Sequence, residues 1–211
     1  FVPGGKGANQ AVAASRLCST GPTLRHRKCS SQFVCQLGND AHSKALEGVL
    51  RENKVDISAS GKVSKPSGQG LVFLEEDGSV TSVVVGGSNA YWPDDVSYLL
   101  PHIESSNIVM LQREIPEHVN LAVAEMAVTA GIPVFQDIGG EDRPITDDLL
   151  SKLTFVSPNL SELQRLTDMP TGSREEILAA ARYVQSRGAK NVVVTLGEQG
   201  AVLLQEDGSV L

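Results

Sequence analysis

Short apolar runs alternate with helical patterns along the second half of the chain, and this alternation limits the folds open to it. Four runs have the length and composition of buried strands, and the segments between them carry apolar residues at helical spacing. The runs cover 108–111, 134–137, 155–157 and 192–195, and the helical segments cover 116–130, 159–166 and 174–187. Strands separated by helices form parallel βαβ units with right-handed crossovers. We therefore expect an α/β fold with helices packed about a sheet.

The first ninety or so residues follow a different pattern. A helix is predicted over 7–17, a loop over 19–32 that contains a basic cluster, a strand over 33–37 and a helix over 41–51. Between residues 68 and 85 the apolar period becomes two, and Asp77-Gly78 separates the two runs. Since Asp-Gly between β-rich runs is a strong hairpin signal, we expect a β flap inserted into the α/β chain.

The composition argues against several classes of function. Asp and Glu number 25 against 18 Lys and Arg, which gives a net charge of -7, and aromatic residues make up 4%. Such a field repels polyanions and few rings are available to stack on bases, so nucleic acid is not an expected partner. The mean hydropathy is -0.06, and no run of about 18 apolar residues exists. A membrane-spanning segment is therefore not expected.

Cysteine and the other candidate ligand residues show no metal spacing. The three cysteines, Cys18, Cys29 and Cys35, are odd in number and have no second cluster of Cys or His to match them. We predict neither a zinc site nor a disulfide framework. We predict that the protein resides in a reducing compartment. The acidic group Asp137, Asp142, Asp147 and Asp148 is interpreted as a solvated loop.

The motif Gly4-Gly5-Lys6-Gly7-Ala8-Asn9 stands directly before the first predicted helix. Glycines let a ligand approach the backbone, while Lys6 and Asn9 supply a charge and an amide at a helix N-terminus. A plain helix-entry turn is the alternative, although three glycines and a lysine exceed what a turn needs. The motif is not a Walker A loop, because Gly7 follows the lysine where that loop has Ser or Thr.

Three further segments follow predicted strands, where open α/β sheets bind their ligands. Glu114 could accept a hydrogen bond from a hydroxyl, or it could only favour the helix start at Pro116. Asn159 and Glu162 have the spacing of a capping box, and Glu162 could also hold a Mg²⁺-bound water. The segment from Thr195 to Gly200 is either a tight turn or backbone exposed to a nucleotide.

In this order, the motifs resemble those of the ribokinase branch of the PfkB carbohydrate kinases. The first motif, extended to Gln10-Ala11, is similar to that family's sugar-binding signature. The other matching segments are Val84 to Ala90, Leu111 to Pro116, Ser157 to Leu163, Val194 to Gly197 and Gly200-Ala201. The resemblance extends over most of the chain.

The resemblance implies a ribokinase-like three-layer α/β sandwich that is truncated at both ends. Residues 1–211 would form part of one domain, and residues 68–90, approximately, would form a small β-sheet lid inserted into it. It implies phosphorylation of the 5-hydroxyl of D-ribose with ATP and Mg²⁺, and a homodimer formed through the lid. The sugar would be bound by Gly5, Lys6, Gly7, Ala8, Asn9 and Glu114. ATP would be faced by Asn159, Thr195, Leu196, Gly197, Glu198, Gln199 and Gly200, while Glu162 would order Mg²⁺ and the phosphates.

Parts of the family pattern are expected outside this sequence. The family's first strand would precede Phe1, and its Gly-Ala-Gly-Asp type block, with the general base, would follow Leu211, as would a site for a monovalent cation such as K⁺. We therefore expect the 211 residues to be a fragment that is inactive alone. Residues 19–31 are longer and more basic than the family's usual link, and Leu160 stands where an acidic residue is common.

Two rival functions remain, and the compartment is also an expectation. One rival is a PfkB kinase for another sugar or a nucleoside, and the other is a module that binds sugar or nucleotide without turnover. The expected compartment is the cytoplasm, or a plastid if an upstream transit peptide exists.

Overall fold

The structure, a computed structural model, describes residues 2–20, 29–74, 80–140 and 144–211. The chain forms two compact units, Phe1–Pro93 and Asp94–Leu211. The elements of unit 1 are α1 (Lys6–Thr20), β1 (Gln36–Leu37), α2 (Ala41–Glu52), β2 (Gly61–Lys62), β3 (Gln69–Leu74) and β4 (Val80–Val85). A short 3-10 helix, Gly87–Ala90, follows β4.

Unit 1 is organised around the contact of α1 with α2 and the segment after it. Ala8 and Ala11 of α1 form a buried cluster with Leu50, Val55 and Ile57. Alanines at this helical spacing let the neighbouring segment approach closely, which buries apolar surface at about 25 cal/mol per Å². The cluster therefore fixes the helix that carries the glycine motif at its N-terminus.

Two boundaries in unit 1 differ from the predictions. The helix predicted over 7–17 begins at Lys6 and continues through Thr20, so residues 19 and 20, which were predicted to lie in a loop, are helical. The strand predicted over 33–37 is reduced to β1, which pairs in parallel with β2. The basic residues 25–28 lie outside the described residues.

Cysteine pairing also differs from the prediction. The structure joins Cys18, in the last part of α1, to Cys29 in a disulfide, with Cα atoms 5.5 Å apart. That spacing lies within the range a disulfide requires, and it arises because the chain returns to the end of α1. The expectation that no disulfide forms was therefore wrong for this pair. Cys35 is free and half-buried, and burial raises the pKa of its thiol.

Asp40 joins the start of α2 to a distant loop. Its carboxylate accepts hydrogen bonds from the Ser43 N–H, the helix N-cap bond, and from the Ser67 N–H and hydroxyl, at 2.7 to 2.9 Å. These donors stabilise the ionised form and lower the pKa of Asp40 from 3.8 to about 2.

This carboxylate gives unit 1 a specific pH dependence. Because the pKa of Asp40 is lower in the folded state, its ionisation stabilises the fold fully above pH ~4, and that contribution is lost as the pH falls toward ~2. We expect the free energy of unfolding of wild type to fall more steeply between pH 4 and 2 than that of Asp40→Asn. Urea unfolding at each pH measures this, and Ser67→Ala should give an intermediate slope. Equal slopes in wild type and Asp40→Asn would contradict the assignment.

The predicted β flap is confirmed as the antiparallel pair β3 and β4. Its register places Leu71 opposite Val83 and Val72 opposite Ser82. The Asp77-Gly78 turn lies outside the described residues. Because successive residues alternate between faces, Val72, Leu74 and Val84 share one face, which we call the lid outer face, while Leu71 and Phe73 lie on the other. All five side chains are exposed.

Unit 2 carries the predicted sheet. Its elements are α3 (Leu100–Glu104), β5 (Val109–Arg113), α4 (Glu117–Thr129), β6 (Val134–Gly140), α5 (Asp147–Lys152), β7 (Phe155–Ser157), α6 (Leu160–Thr167), α7 (Arg174–Ser186), β8 (Asn191–Thr195) and β9 (Ala201–Leu204). The strand order is β5-β6-β7-β8-β9. The first four strands are parallel and β9 is antiparallel to β8. The βαβ prediction is thus confirmed.

Burial alternates along the strands of unit 2. Val134, Gln136 and Ile138 of β6 are buried, while Phe135 and Asp137 between them are half-buried. Consecutive parallel strands in unbroken order, joined by right-handed crossovers, place their connecting helices on one face of the sheet. The buried residues therefore mark the helix-covered face, and the other face of this sheet is less covered.

The acidic segment after β6 is helical where a solvated loop was predicted. Thr146 caps α5, and Asp147 and Asp148 lie in its first turn, where carboxylates favour the helix dipole. Both remain exposed, and Asp142 lies outside the described residues. In the parts of the chain that the structure describes, no helix has the length and apolarity that a membrane crossing requires.

Candidate active site

The glycine motif forms the entry to α1. Gly5 has φ 106°, a backbone conformation that favours glycine, and its carbonyl accepts the Asn9 N–H at 2.9 Å. Lys6 is half-buried and Asn9 is exposed, while Gly7 and Ala8 are buried. The first-turn N–H groups of a helix have no intrahelical acceptor, and this turn contains no acidic side chain. The motif therefore offers N–H donors, an amide and an ammonium group at one helix end.

The remaining predicted site residues all lie in unit 2, at the carboxyl edge of its parallel strands. Glu114 directly follows β5, Asn159 comes two residues after β7, and Leu196 directly follows β8. Strands β5 and β7 are separated only by β6, so their ends stand roughly 10 Å apart at the usual ~4.8 Å strand spacing. The sheet thus brings these three segments to a single edge.

Asn159 and Glu162 form the predicted capping box of α6. The Asn159 Oδ1 accepts the Glu162 N–H at 2.9 Å, and the Glu162 Oε2 accepts the Asn159 N–H at 2.8 Å. The Ser161 hydroxyl also donates to Asn159 Oδ1, at 2.9 Å. These bonds hold both side chains in place at the start of the helix, with Asn159 exposed and Glu162 half-buried.

The segment after β8 lies against this capping box. The Thr195 N–H donates to the Pro158 carbonyl at 3.0 Å, and Thr195 forms an isolated parallel bridge with Asn159. The structure therefore brings together the two segments that the sequence analysis assigned to a nucleotide.

The turn from Leu196 to Gly200 presents its backbone to solvent. The Gly200 N–H donates to the Gly197 carbonyl at 3.1 Å within the 3-10 turn Gly197–Gln199, and the Leu196 N–H donates across the turn to the Gly200 carbonyl at 2.8 Å. Gly197 and Gly200 have positive φ, and a Cβ added at either would meet no atom within 4 Å. Glu198 and Gln199 are exposed as well. The turn is tight, as one interpretation held, and its backbone is open, as the other required.

A second group of polar residues supports this edge and was not singled out from the sequence. The Arg113 guanidinium is buried, donates to the Pro144 carbonyl at 3.2 Å and lies 3.7 Å from the Glu117 carboxylate. Glu117 in turn accepts the Thr146 hydroxyl at 3.0 Å. The i,i+4 spacing of Arg113 and Glu117 was the only sequence signal for this network. It ties β5, α4 and α5 together beside Glu114.

A metal cage built by side chains alone is not present in the described ranges, which contain no group of three or more His, Cys, Asp or Glu able to hold an ion. Glu162 lies three residues after Asn159, and one of its oxygens already accepts the Asn159 N–H. A single carboxylate fits Mg²⁺ when substrate phosphates and waters supply the other ligands.

A parallel sheet whose polar residues and open glycine turns gather at its carboxyl edge defines a ligand-binding α/β protein. The model of the pfkB family carbohydrate kinases matches residues 1–211. The chain belongs to this family.

Its relatives include sugar kinases from plants and bacteria. Ribokinase of Arabidopsis thaliana is 39% identical over 207 residues, which are 96% of this chain and 52% of the relative. Deoxyribokinase of Salmonella typhi is 28% identical, over 98% of this chain and 65% of the relative. A solved structure of Arabidopsis thaliana ribokinase complexed with ribose and ATP has a TM-score of 0.89 and 37% identity, over 99% of this chain and 65% of that one. The predicted ribokinase-like fold is confirmed, and the chain spans between about half and two thirds of the length of these three.

Proposed function

We propose that the protein containing this chain transfers a phosphoryl group from ATP to the 5-hydroxyl of D-ribose. The observation that supports this most is the similarity to the Arabidopsis ribokinase, whose structure holds ribose and ATP and matches this chain with a TM-score of 0.89. Phosphoryl transfer relies on positioning and on neutralising charge more than on covalent catalysis. The residues of the candidate site suit that requirement.

The sugar is assigned to the glycine motif and to Glu114. Gly5, Gly7 and Ala8 let a sugar approach the backbone, and Lys6 and Asn9 can donate hydrogen bonds to its hydroxyl oxygens. Glu114 can accept hydrogen bonds from sugar hydroxyls, which are stronger when the acceptor is ionised. Donors and acceptors of both kinds are needed to orient a polyhydroxylated ligand.

The nucleotide is assigned to Asn159 and to the segment from Thr195 to Gly200. A Cβ added at Gly197 or Gly200 would meet no atom within 4 Å. The backbone of that turn therefore leaves room for a flat or flexible group. Glu162 would order Mg²⁺ through water, and the ion would neutralise charge on the phosphates. A general base is not assigned within these residues.

The substrate can be tested with the full natural gene product. We expect ADP release with D-ribose to exceed that with fructose, adenosine or 2-deoxyribose by at least ~10-fold in kcat/KM. Glu114→Gln should raise the ribose KM by ~10- to 100-fold, the value of a lost hydrogen bond to a charged group. Glu125→Gln, at an exposed glutamate of α4, is the matched control and should leave KM unchanged. A preference for adenosine would overturn the ribose assignment.

A second sugar deserves its own arm in that assay. The Salmonella deoxyribokinase is also a relative, at 28% identity, and deoxyribose lacks one hydroxyl that a polar site would recognise. Preference for 2-deoxyribose would support the rival function of a PfkB kinase for another sugar. Binding of sugar and ATP without ADP release would support a module without turnover.

The lid is assigned to dimer formation. On the lid outer face, Val72, Leu74 and Val84 are 69%, 75% and 68% exposed, whereas Leu71 and Phe73 on the other face are each 52% exposed. A two-stranded hairpin with apolar side chains on both faces is marginal in water. We infer that the more exposed face meets the lid of a second copy.

The compartment of the protein stays a prediction, cytoplasm or plastid. A reducing environment there would open the Cys18–Cys29 disulfide.

A further inference from the structure

The turn that carries Glu114 is held by a side chain from the helix that follows it. The Asn120 Nδ2, in the first half of α4, donates to the Gln112 carbonyl at 2.8 Å. Gln112 stands two residues before Glu114 and near the end of β5. This bond ties the last part of the strand to the helix, so the turn between them is closed at its base.

The strand on the other side restrains the same turn. The pairing of β5 with β6 shifts from Leu111 opposite Gln136 to Arg113 opposite Gly140, a bulge in β6. Gly140 has φ 126°, and a Cβ there would lie 2.6 Å from the Arg113 carbonyl oxygen. The backbone of Arg113 is therefore fixed by close approach of β6, while Asn120 fixes Gln112 from α4.

Asn120 is not explained by fold stability. Its side chain is 2% exposed, and its Oδ1 is buried without a hydrogen-bond partner among the described residues. Leaving a buried amide oxygen unpaired costs free energy, and this cost offsets what the bond to the Gln112 carbonyl contributes to stability. Val123 and Ala124, three and four residues further along α4 on the same face, are buried and apolar. What Asn120 supplies is the bond to Gln112.

We propose that Asn120 is a positioning residue that sets the place of Glu114 in the sugar site. The inference rests on the proposed function, in which Glu114 binds a sugar hydroxyl. Small displacements of a ligand-binding group have large effects on binding and rate. Loss of the Asn120 bond frees the Gln112 carbonyl, lets the turn shift, and moves the Glu114 carboxylate from the hydroxyl it accepts.

The kinetic test separates positioning from stability. In the full natural gene product, Asn120→Leu should raise the ribose KM by ~10-fold while changing kcat by less than ~3-fold. Its unfolding midpoint should stay close to that of wild type, because relief of the unpaired Oδ1 offsets the loss of the bond to the Gln112 carbonyl. The matched control is Thr129→Val, which removes a side-chain bond to the Glu125 carbonyl at the other end of α4 and should leave KM unchanged. In a double-mutant cycle, adding Asn120→Leu to Glu114→Gln should raise KM little further. Full additivity, or an unchanged KM, would overturn the inference.

Hydrogen exchange tests the same inference without any ligand. The backbone amides of residues 113 to 115 should exchange at least ~10-fold faster in Asn120→Leu than in wild type, and in Thr129→Val they should not change. If Asn120→Leu does not fold, Asn120→Ala removes the same donor without added volume. Unchanged exchange would overturn the positioning role. If wild type does not phosphorylate ribose, but the amides exchange faster in Asn120→Leu than in wild type, the proposed substrate is overturned and the structural role of Asn120 is supported.

Discussion

The 211-residue chain on its own should phosphorylate D-ribose at least ~10⁴-fold more slowly than the Arabidopsis ribokinase, of which it spans 52%. The resemblance to the family implies that a Gly-Ala-Gly-Asp type block, with the general base and a helix N-terminus for the transferred phosphoryl, would follow Leu211. Loss of a general base typically costs ~10²–10⁴ in rate. Loss of donors that stabilise developing charge costs a further ~10²–10³.

The measurement is ribose-dependent ADP release at saturating ATP, with background ATP hydrolysis subtracted. The matched control is the Arabidopsis enzyme cut at the position aligned with Leu211, which should lose activity to the same extent. Titration of each chain with ribose and ATP separates a binding defect from a catalytic one. Turnover by the 211 residues within ~10-fold of the intact Arabidopsis enzyme would mean that the base lies inside this sequence.

Charging the lid outer face should abolish the proposed dimer. Val72 and Val84 share this face. In a symmetric dimer each of the two subunits carries both substitutions, Val72→Asp and Val84→Asp. If each buried valine contributes ~1.5 kcal/mol, four lost valines amount to ~6 kcal/mol. At 1.4 kcal/mol per tenfold, the dissociation constant should rise at least ~10³-fold even if part of this is not additive.

Sedimentation of the full natural gene product across a concentration series measures that change. Leu71→Asp, on the opposite face of the same strand, is the matched control, since it adds a charge to the lid without touching the outer face. The Leu71→Asp variant should leave the dimer intact. If the face that carries Leu71 contacts the ligand, the variant should also raise the sugar KM. A double variant that remains a dimer at the wild-type concentration would contradict the assignment of the interface.

The path of the chain through unit 2 could be predicted from local patterns. Helical and strand periodicities located β5 to β8 and helices α4, α6 and α7 to within a few residues. The capping box at Asn159 and Glu162 was predictable because a cap depends on residues three positions apart. The helix α5 was missed because it is only six residues long, which is too short to show a helical period of apolar residues. Its aspartates were interpreted as a loop for the same reason.

The arrangement around Glu114 was decided by tertiary structure. The motif Gln112-Arg113-Glu114 indicates a ligand-binding position after a strand. Nothing in its spacing shows that Arg113 is buried, or that Asn120 reaches back to the Gln112 carbonyl. The bulge in β6 also shifts the partner of Arg113 to Gly140. A bulge changes strand pairing between residues that are far apart in sequence, so it leaves no local pattern.

The sequence by itself determined the order of most strands and helices, the hairpin of the lid, and the positions at which polar residues follow strands. These features depend on residues a few positions apart, and their chemistry is local. The tertiary structure decided which residues are buried, which strands pair out of simple register, and that Cys18 lies beside Cys29. Each of these depends on where separate segments meet, because the free energy of burial, hydrogen bonding and close approach is set by the neighbours in space and not along the chain.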